Sequence, residues 1–500
     1  MKVTTRCTAL LFLLGAFAQA QFPSAIKHVI VVFQENRTPD NLFHDLCTPP
    51  WWTGTGTCPY DISTTFVDGT GTTQPLAPVG LATNFDLSHA HSAFVSEKNN
   101  PATPLKPSCG SVGTLVYGCT PSTWNQFMYV ENGVSLNYNN SYGKGTTHIL
   151  DPYYTMATQW GWGNFMYQTN QGPSYPAHQF IFGGSSAPTA GDDAAGTFIA
   201  ENPSPGGAAA GCFAPLTETN FLIDINGNET SYGNNGMNGN FCFNRGVNHS
   251  SLAELLDQKG VSWKYYAPTA GSIWTAPNSD EPLCLPNYTT GKCTNPEYAS
   301  NVIIGSVGNR AQFLKDLTST SSCNLPAVSW VIPDGGWSDH ASSNSGLGPS
   351  WVAAIVNGVG NNKTCNYWAN TAVVITWDDW GGWYDHEAPY VNTPFPNYNY
   401  GFRVPLIVVS GYTPKGFVSN VKPRDFGSVL NMIEGIFLGG EGKLGFADAR
   451  STDDLHDFFP GPFQAFPTTP VVAVQDANYF TGLTTTPAKV KDAPIDPDDD

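Results

Sequence analysis

The sequence predicts an α/β protein with a mostly parallel central sheet and disulfide-rich loop insertions. Three observations predict it. Short continuous apolar runs read as buried strands, helical patterns stand between them, and long Gly/Asn/Thr/Pro-rich stretches carrying cysteines interrupt the alternation.

Four runs carry the strand prediction: 27–33, 328–332, 371–377 and 404–410, the last with Pro405 near its start. Unbroken apolar stretches of this length suit strands covered on both faces, as in a parallel sheet. Helical patterns follow at 251–257, where Ser250 is the expected cap and Gly260 the stop, and at 350–356 and 425–434. A strand-like stretch, 261–266, comes directly after the first of these.

The first twenty residues read as a signal peptide. Lys2 and Arg6 precede an apolar run from Ala9 to Leu14, and Ala18-Gln19-Ala20 closes it as a small-x-small exit. That run is shorter than the roughly 20 residues a bilayer span needs, and no later stretch is long and apolar enough. The expectation is a secreted or periplasmic protein with no transmembrane segment, peripheral membrane contact staying open. Residues 21–483 would form the body, with insertions near 45–150 and 185–245, and 484–500 an acidic, Pro-rich tail. Eleven cysteines agree with export, since removing Cys7 with the signal leaves an even set. Pairing neighbours gives Cys47–Cys58, Cys109–Cys119 and Cys284–Cys293, although spacing alone does not fix connectivity. No CxxC pair is present, which argues against zinc-thiolate sites.

Only 12% of residues are charged and the formal net charge is −18. That balance excludes nucleic acid as a partner, because such binding rests on Lys and Arg contacts to phosphate. An anionic substrate would have to be attracted locally.

Polar groups gather where three predicted strands end, which is where α/β sheets bind ligands. Glu35-Asn36-Arg37 follows the first, Ser338-Asp339-His340 comes shortly after the second, and Asp378-Asp379 follows the third with Asp385-His386 beyond. Such an oxygen-rich set suits a hard divalent cation, with imidazole added if the metal is zinc-like. An acidic turn is the plainer reading of an isolated Asp-Asp pair. Both carboxylates can serve one site only if the chain leaves β geometry there, and Trp380-Gly381-Gly382 allows that. There is no Gly-x-Ser-x-Gly elbow, His-Glu-x-x-His, Walker loop or dinucleotide-binding glycine fingerprint.

The segment 35–43 resembles the ENRSFDHYF signature of the phosphoesterase family of non-specific phospholipases C and related bacterial acid phosphatases. Gly172-Pro173-Ser174-Tyr175-Pro176 is similar to its Gly-Pro-Thr/Ser-x-Pro segment, and Asp378-Asp379 with 381–386 to its DD-x-GG-x-YDH segment. Asp86-Leu87-Ser88-His89 and Ser338-Asp339-His340 resemble two shorter motifs, all in family order. Pro39 and Asn41 depart from the signature, and the histidine that the acid phosphatase branch carries upstream of His340 has no counterpart after His249.

The resemblance implies an alkaline-phosphatase-like three-layer sandwich. It also implies a divalent metal ion held by Glu35, Asn36, Asp378 and Asp379, with Ser174 as nucleophile and metal-facing oxygen. His340, and His89 or His91, would line the phosphate pocket, with His386, Asp385 and Asp339 supporting from behind. The implied substrate is a phosphomonoester or phospholipid-type ester. A lipid-directed enzyme should expose an apolar rim, for which Trp51-Trp52, Trp160, Trp162, Trp380 and Trp383 are candidates, though core packing or a sugar-binding surface suits them equally. The contrasting class is a secreted carbohydrate- or surface-binding protein that keeps the fold without turnover; a complete set of ligand and nucleophile residues speaks against it.

Overall fold

The computed structural model describes residues 22–483 except 69–70, 84–85, 99–110, 113–114, 117–126, 133–147, 204–209, 215–217, 233–241, 243–250, 306–309, 392–398, 441–443, 445–449 and 452. The signal segment 1–20, the tail 484–500, the Cys109–Cys119 pair and the expected cap Ser250 lie outside the described residues.

An 8-stranded sheet forms the centre. Its strands are β1 (His28–Gln34), β2 (Gly161–Gly163), β3 (Trp263–Ala267), β4 (Val302–Ile304), β5 (Val328–Val331), β6 (Thr371–Trp377), β7 (Leu406–Ser410) and β8 (Phe417–Ser419). They lie in the order β4-β3-β5-β1-β6-β7-β2-β8. From β4 to β6 every pairing is parallel, β7 runs antiparallel to both β6 and β2, and β8 is parallel to β2.

The helices that matter are α1 (Pro39–Leu42), α2 (His91–Lys98), α3 (Asp151–Gln159), α4 (Ser174–Gly183), α5 (Leu252–Gln258), α6 (Gln312–Thr318), α7 (Gly348–Asn361) and α8 (Phe426–Phe437). Six of them fall into two packed groups, α3 with α6 and α7, and α4 with α5 and α8. Side-chain alternation assigns one group to each face of the sheet. Phe33 of β1 meets Phe426 of α8, and Trp330 of β5 donates its indole N–H to Ile181 O of α4 at 2.9 Å. Trp377, at the end of β6, instead packs on Tyr153 of α3 with ring centroids 5.2 Å apart. All seven residues of β6 are buried, as a strand covered on both faces requires. The result is the three-layer α/β sandwich.

Some elements differ from their predicted form. Ser251, not Ser250, caps α5, accepting from Glu254 N at 3.4 Å. The fourth predicted strand begins at Leu406, after Pro405, whose missing N–H cannot join the ladder. Trp160, Trp162, Trp380 and Trp383 are buried and form no apolar rim, while Trp51 and Trp52 are half-buried. Neighbouring cysteines do pair: Cys47–Cys58, Cys212–Cys242, Cys284–Cys293 and Cys323–Cys365.

Candidate active site

β1 and β6 run side by side with Gln34 level with Trp377. Their ladder continues past the strand ends, Asp378 N donating to Gln34 O at 2.9 Å and Arg37 N to Asp379 O at 3.0 Å. The two polar exits therefore leave the sheet together. Asn36 takes a left-handed conformation (φ 60°), which asparagine tolerates better than most residues. Its backbone N–H then reaches Asp378 Oδ1 at 2.9 Å, and Asp379 N donates to that same oxygen at 2.7 Å. Beyond the carboxylates, Gly381 has φ 62°, and a Cβ there would stand 2.5 Å from Asn36 O. Only glycine lets the second exit fold against the first, which is how adjacent aspartates come to share one site.

Ser174 is the first residue of α4. Its Oγ lies 3.2 Å from Asp379 Oδ2 and 3.5 Å from Glu35 Oε2. One turn along the same helix stands His178, Nε2 3.1 Å from Glu35 Oε1 and 3.8 Å from Asp378 Oδ2. The structure thus brings together Glu35, Asn36, Ser174, Asp378 and Asp379, all fully buried, and adds a histidine that the sequence reading missed. The available signal was the Ser-x-x-x-His spacing, which puts both side chains on one helical face. Burial lowers the His178 pKa to about 4, with Asp378 opposing the shift.

Of the other histidines, His89 joins this group and His91 does not. His89 Nε2 lies 3.1 Å from Asn36 Nδ2, and its Nδ1 bonds Leu87 O at 2.8 Å. His340 packs edge-on to His89, centroids 5.9 Å apart, with its Nδ1 3.2 Å from Asp86 Oδ2 and 2.6 Å from Ala341 O. His91 turns to Glu229 Oε2 (2.8 Å) and Gln171 Oε1 (3.4 Å), because it starts α2 and faces the β-hairpin that carries Glu229.

The three residues expected to support the ligands do other work. Asp339 accepts from Tyr153 Oη (2.6 Å) and Trp377 Nε1 (3.0 Å), on the α3 side of the sheet, and burial raises its pKa to about 6. Asp385 grips Arg403 through two bonds of 2.8 and 3.1 Å. His386 meets Asp40 Oδ2 at 2.8 Å and Asp61 Oδ1 at 3.5 Å rather than standing behind Asp379. The Gly381-Gly382 turn sends the chain back toward α1, which carries Asp40. Arg37 acts as a tie: its guanidinium binds Asp339 O, Asn41 Oδ1 and Leu81 O, holding the His340 loop to the first exit.

Electrostatically the centre calls for a cation. Burial, and after it the charge of Asp378, pushes the Asp379 carboxyl well above the usual range. Asp378 Oδ2 and Asn36 Oδ1 are buried and accept no hydrogen bond among the described residues. Glu35, His178 and Asp378 offer ligand atoms that all lie within 4.8 Å of one another. Carboxylate, amide and imidazole donors of this kind fit a divalent ion.

A buried acidic and serine centre at the carboxyl ends of β1 and β6, in a mostly parallel sheet, defines an α/β protein with a strand-end reaction site. The chain belongs to the phosphoesterase family, whose pattern matches residues 26–438. Over 237 residues it is 27% identical to a non-hemolytic phospholipase C of Burkholderia pseudomallei, covering 38% of this chain and 32% of that one. Over 253 residues it is 25% identical to a non-hemolytic phospholipase C of Pseudomonas aeruginosa, covering 44% and 34%. The chain therefore spans 32% and 34% of these relatives' length. A solved structure of an alkaline phosphatase superfamily protein from Vibrio parahaemolyticus overlaps 61% of this chain and 63% of its own, at TM-score 0.30 and 9% identity.

Proposed function

We propose that this chain is an exported, divalent-metal-dependent phosphoric-ester hydrolase that works through a phosphoserine on Ser174. The observation that carries the reading is Ser174 Oγ set between Asp379 Oδ2 and Glu35 Oε2, at 3.2 and 3.5 Å. Glu35, Asn36, Asp378, Asp379 and Ser174 would hold the ion. Once bound, it supplies positive charge that favours the serine alkoxide and offsets charge on the phosphoryl oxygens.

The protein's own groups account for the remaining steps. Ser174 Oγ attacks phosphorus while its proton passes toward Asp379 Oδ2, already its hydrogen-bond partner. The phosphorus–oxygen bond of the ester breaks, and the leaving alcohol takes a proton from His340, whose ring is oriented through Nδ1 by Ala341 O and Asp86. Water then cleaves the phosphoserine, giving a proton to His340 as it attacks phosphorus, while the proton held by Asp379 returns to Ser174 Oγ and the phosphate product leaves. Asn36, being neutral, keeps a fourth negative charge out of the centre, and His89 beside it orients its amide.

Similarity to enzymes named as phospholipases C favours a phospholipid-type diester over a simple monoester. Four disulfides among the described residues support export to an oxidising compartment. The test is hydrolysis of p-nitrophenyl phosphate, p-nitrophenyl phosphorylcholine and phosphatidylcholine side by side, with divalent metal and with chelator. Turnover of the choline esters that chelation abolishes is expected. No turnover of any phosphoester with metal present would defeat the enzyme reading.

A further inference from the structure

His178 is fully buried, yet it belongs to no motif that the resemblance carries, and its surroundings restrict what its two nitrogens can do. The edge of its ring meets Phe33, centroids 4.9 Å apart, and its face lies parallel to Trp274 at 6.4 Å. An imidazole that ligates a cation does so in its neutral form. It then carries one proton, on Nδ1 or on Nε2.

Tyr265 decides between them. Its hydroxyl has a single proton, and that proton goes to Trp274 O at 2.7 Å. Toward His178 Nδ1, 3.4 Å away, the same oxygen can only accept. The proton therefore sits on Nδ1, and Nε2 turns a lone pair toward Glu35 Oε1 at 3.1 Å and Asp378 Oδ2 at 3.8 Å. Three electron-pair donors then face one another, and Asp378 Oδ2 accepts no hydrogen bond among the described residues. Placing the proton on Nε2 instead moves the conflict to the Tyr265 side. A cation shared by Nε2, Oε1 and Oδ2 satisfies every group at once. Fixing the remote nitrogen of a ligand histidine by a hydrogen bond is the usual way proteins orient such ligands.

We propose that His178 Nε2 is a nitrogen ligand of the catalytic cation, so that the centre is a mixed nitrogen–oxygen site selective for zinc- or manganese-type ions over magnesium and calcium. This rests on reading the Glu35–Asp378 cluster as the metal centre. All-oxygen cages suit the hard alkaline-earth ions, whereas imidazole moves preference to transition-type ions.

The experiment loads chelator-stripped full-length protein with Zn²⁺ and records zinc-edge X-ray absorption for wild type and His178→Gln. Glutamine fills a similar volume and can offer an N–H to Glu35, but supplies no imidazole. Wild type is expected to show imidazole scattering that falls by one ring in His178→Gln. Zn²⁺ affinity, measured by competition with a chelating dye, should fall at least about 10-fold, while Ca²⁺ affinity stays within about 2-fold. A wild-type zinc spectrum without imidazole overturns the proposal, even if the variant misfolds. An unchanged spectrum or Zn²⁺ affinity in folded His178→Gln also overturns it, leaving His178 as a positioning residue for Glu35. Loss of the imidazole signal in a protein that cleaves no phosphoester would sustain the ligand and defeat the proposed function. Phosphoester cleavage by an oxygen-only centre would do the reverse.

Discussion

Ser174 Oγ is buried between two carboxylates, so removing it deletes the proposed nucleophile without opening a large cavity. Ser174→Ala is expected to lower kcat by about 1,000-fold or more while the circular dichroism spectrum and bound-metal stoichiometry hold. Full activity in that variant would sink the nucleophile assignment. A different residue governs alkaline stability. Burial lowers the pKa of His386, but hydrogen bonds to Asp40 and Asp61 outweigh it and raise the value to about 10. A pKa raised above the unfolded value of 6.5 gives stability that is complete below that pH and is lost as pH climbs through about 10. Asp385, raised to about 6 by burial against the pull of Arg403, is ionised across most of that window. Urea unfolding from pH 6.5 to 10.5 should therefore show wild type losing its advantage over His386→Asn, and parallel curves would contradict this. The residues that motifs name, Glu35, Asn36, Ser174, Asp378 and Asp379, were legible because local sequence fixes them. The place of His178 beside them was not, since its setting depends on Tyr265 and Trp274, which long-range packing brings to it.

The exit after β6 works as a unit whose shape depends on Gly381. A side chain there meets a positive φ and the backbone of Asn36 together, so Gly381→Ala should displace both Asp379 and Asn36. A shift near 1 Å at reacting groups costs about 100-fold in rate, and kcat/KM should fall by that order while the protein stays folded. Retained kcat/KM would show that the turn has slack. Strands β1, β5, β6 and β7 were readable because each is a continuous apolar run. β2 was not, because Gly161-Trp162-Gly163 is three residues long and two of them are glycines, which are depleted in strands. Its glycines are there for close approach, a Cβ at Gly161 falling 2.5 Å from the Phe458 ring and one at Gly163 2.8 Å from Leu406. The Trp380-Gly-Gly-Trp383 stretch, open between rim and core in the sequence, goes to the core for a related reason. Turn glycines fold both tryptophans inward, where Trp383 stacks under Arg37 at 5.0 Å.

Across the whole molecule, the disulfides divide by the length of chain they close. Cys323 and Cys365 are 42 residues apart, and Cys284 and Cys293 are 9 apart. Loop-closure entropy assigns about 4 kcal/mol to the first and about 2.6 kcal/mol to the second. Replacing each pair by serine should reproduce that ranking in denaturant unfolding, and a larger loss from the short loop would point to folded-state contacts instead. Overall alternation, layers and a strand-end site were legible because they follow from periodicity. Strand order was not, since β1 sits mid-sheet between partners far along the chain.

That central placement of β1 affects how the molecule is made. The strand emerges first from the ribosome, yet both of its neighbours, β5 and β6, lie about 300 residues later. At about 5–20 residues per second, β1 waits roughly 15–60 s before the first of them can pair with it. Glu35 and Asn36 stay without Asp378 and Asp379 for the same interval, so the buried cluster they form cannot assemble before β6 has emerged. The middle of the sheet is therefore closed late in synthesis, and the reaction-site residues meet only once β6 has docked on β1.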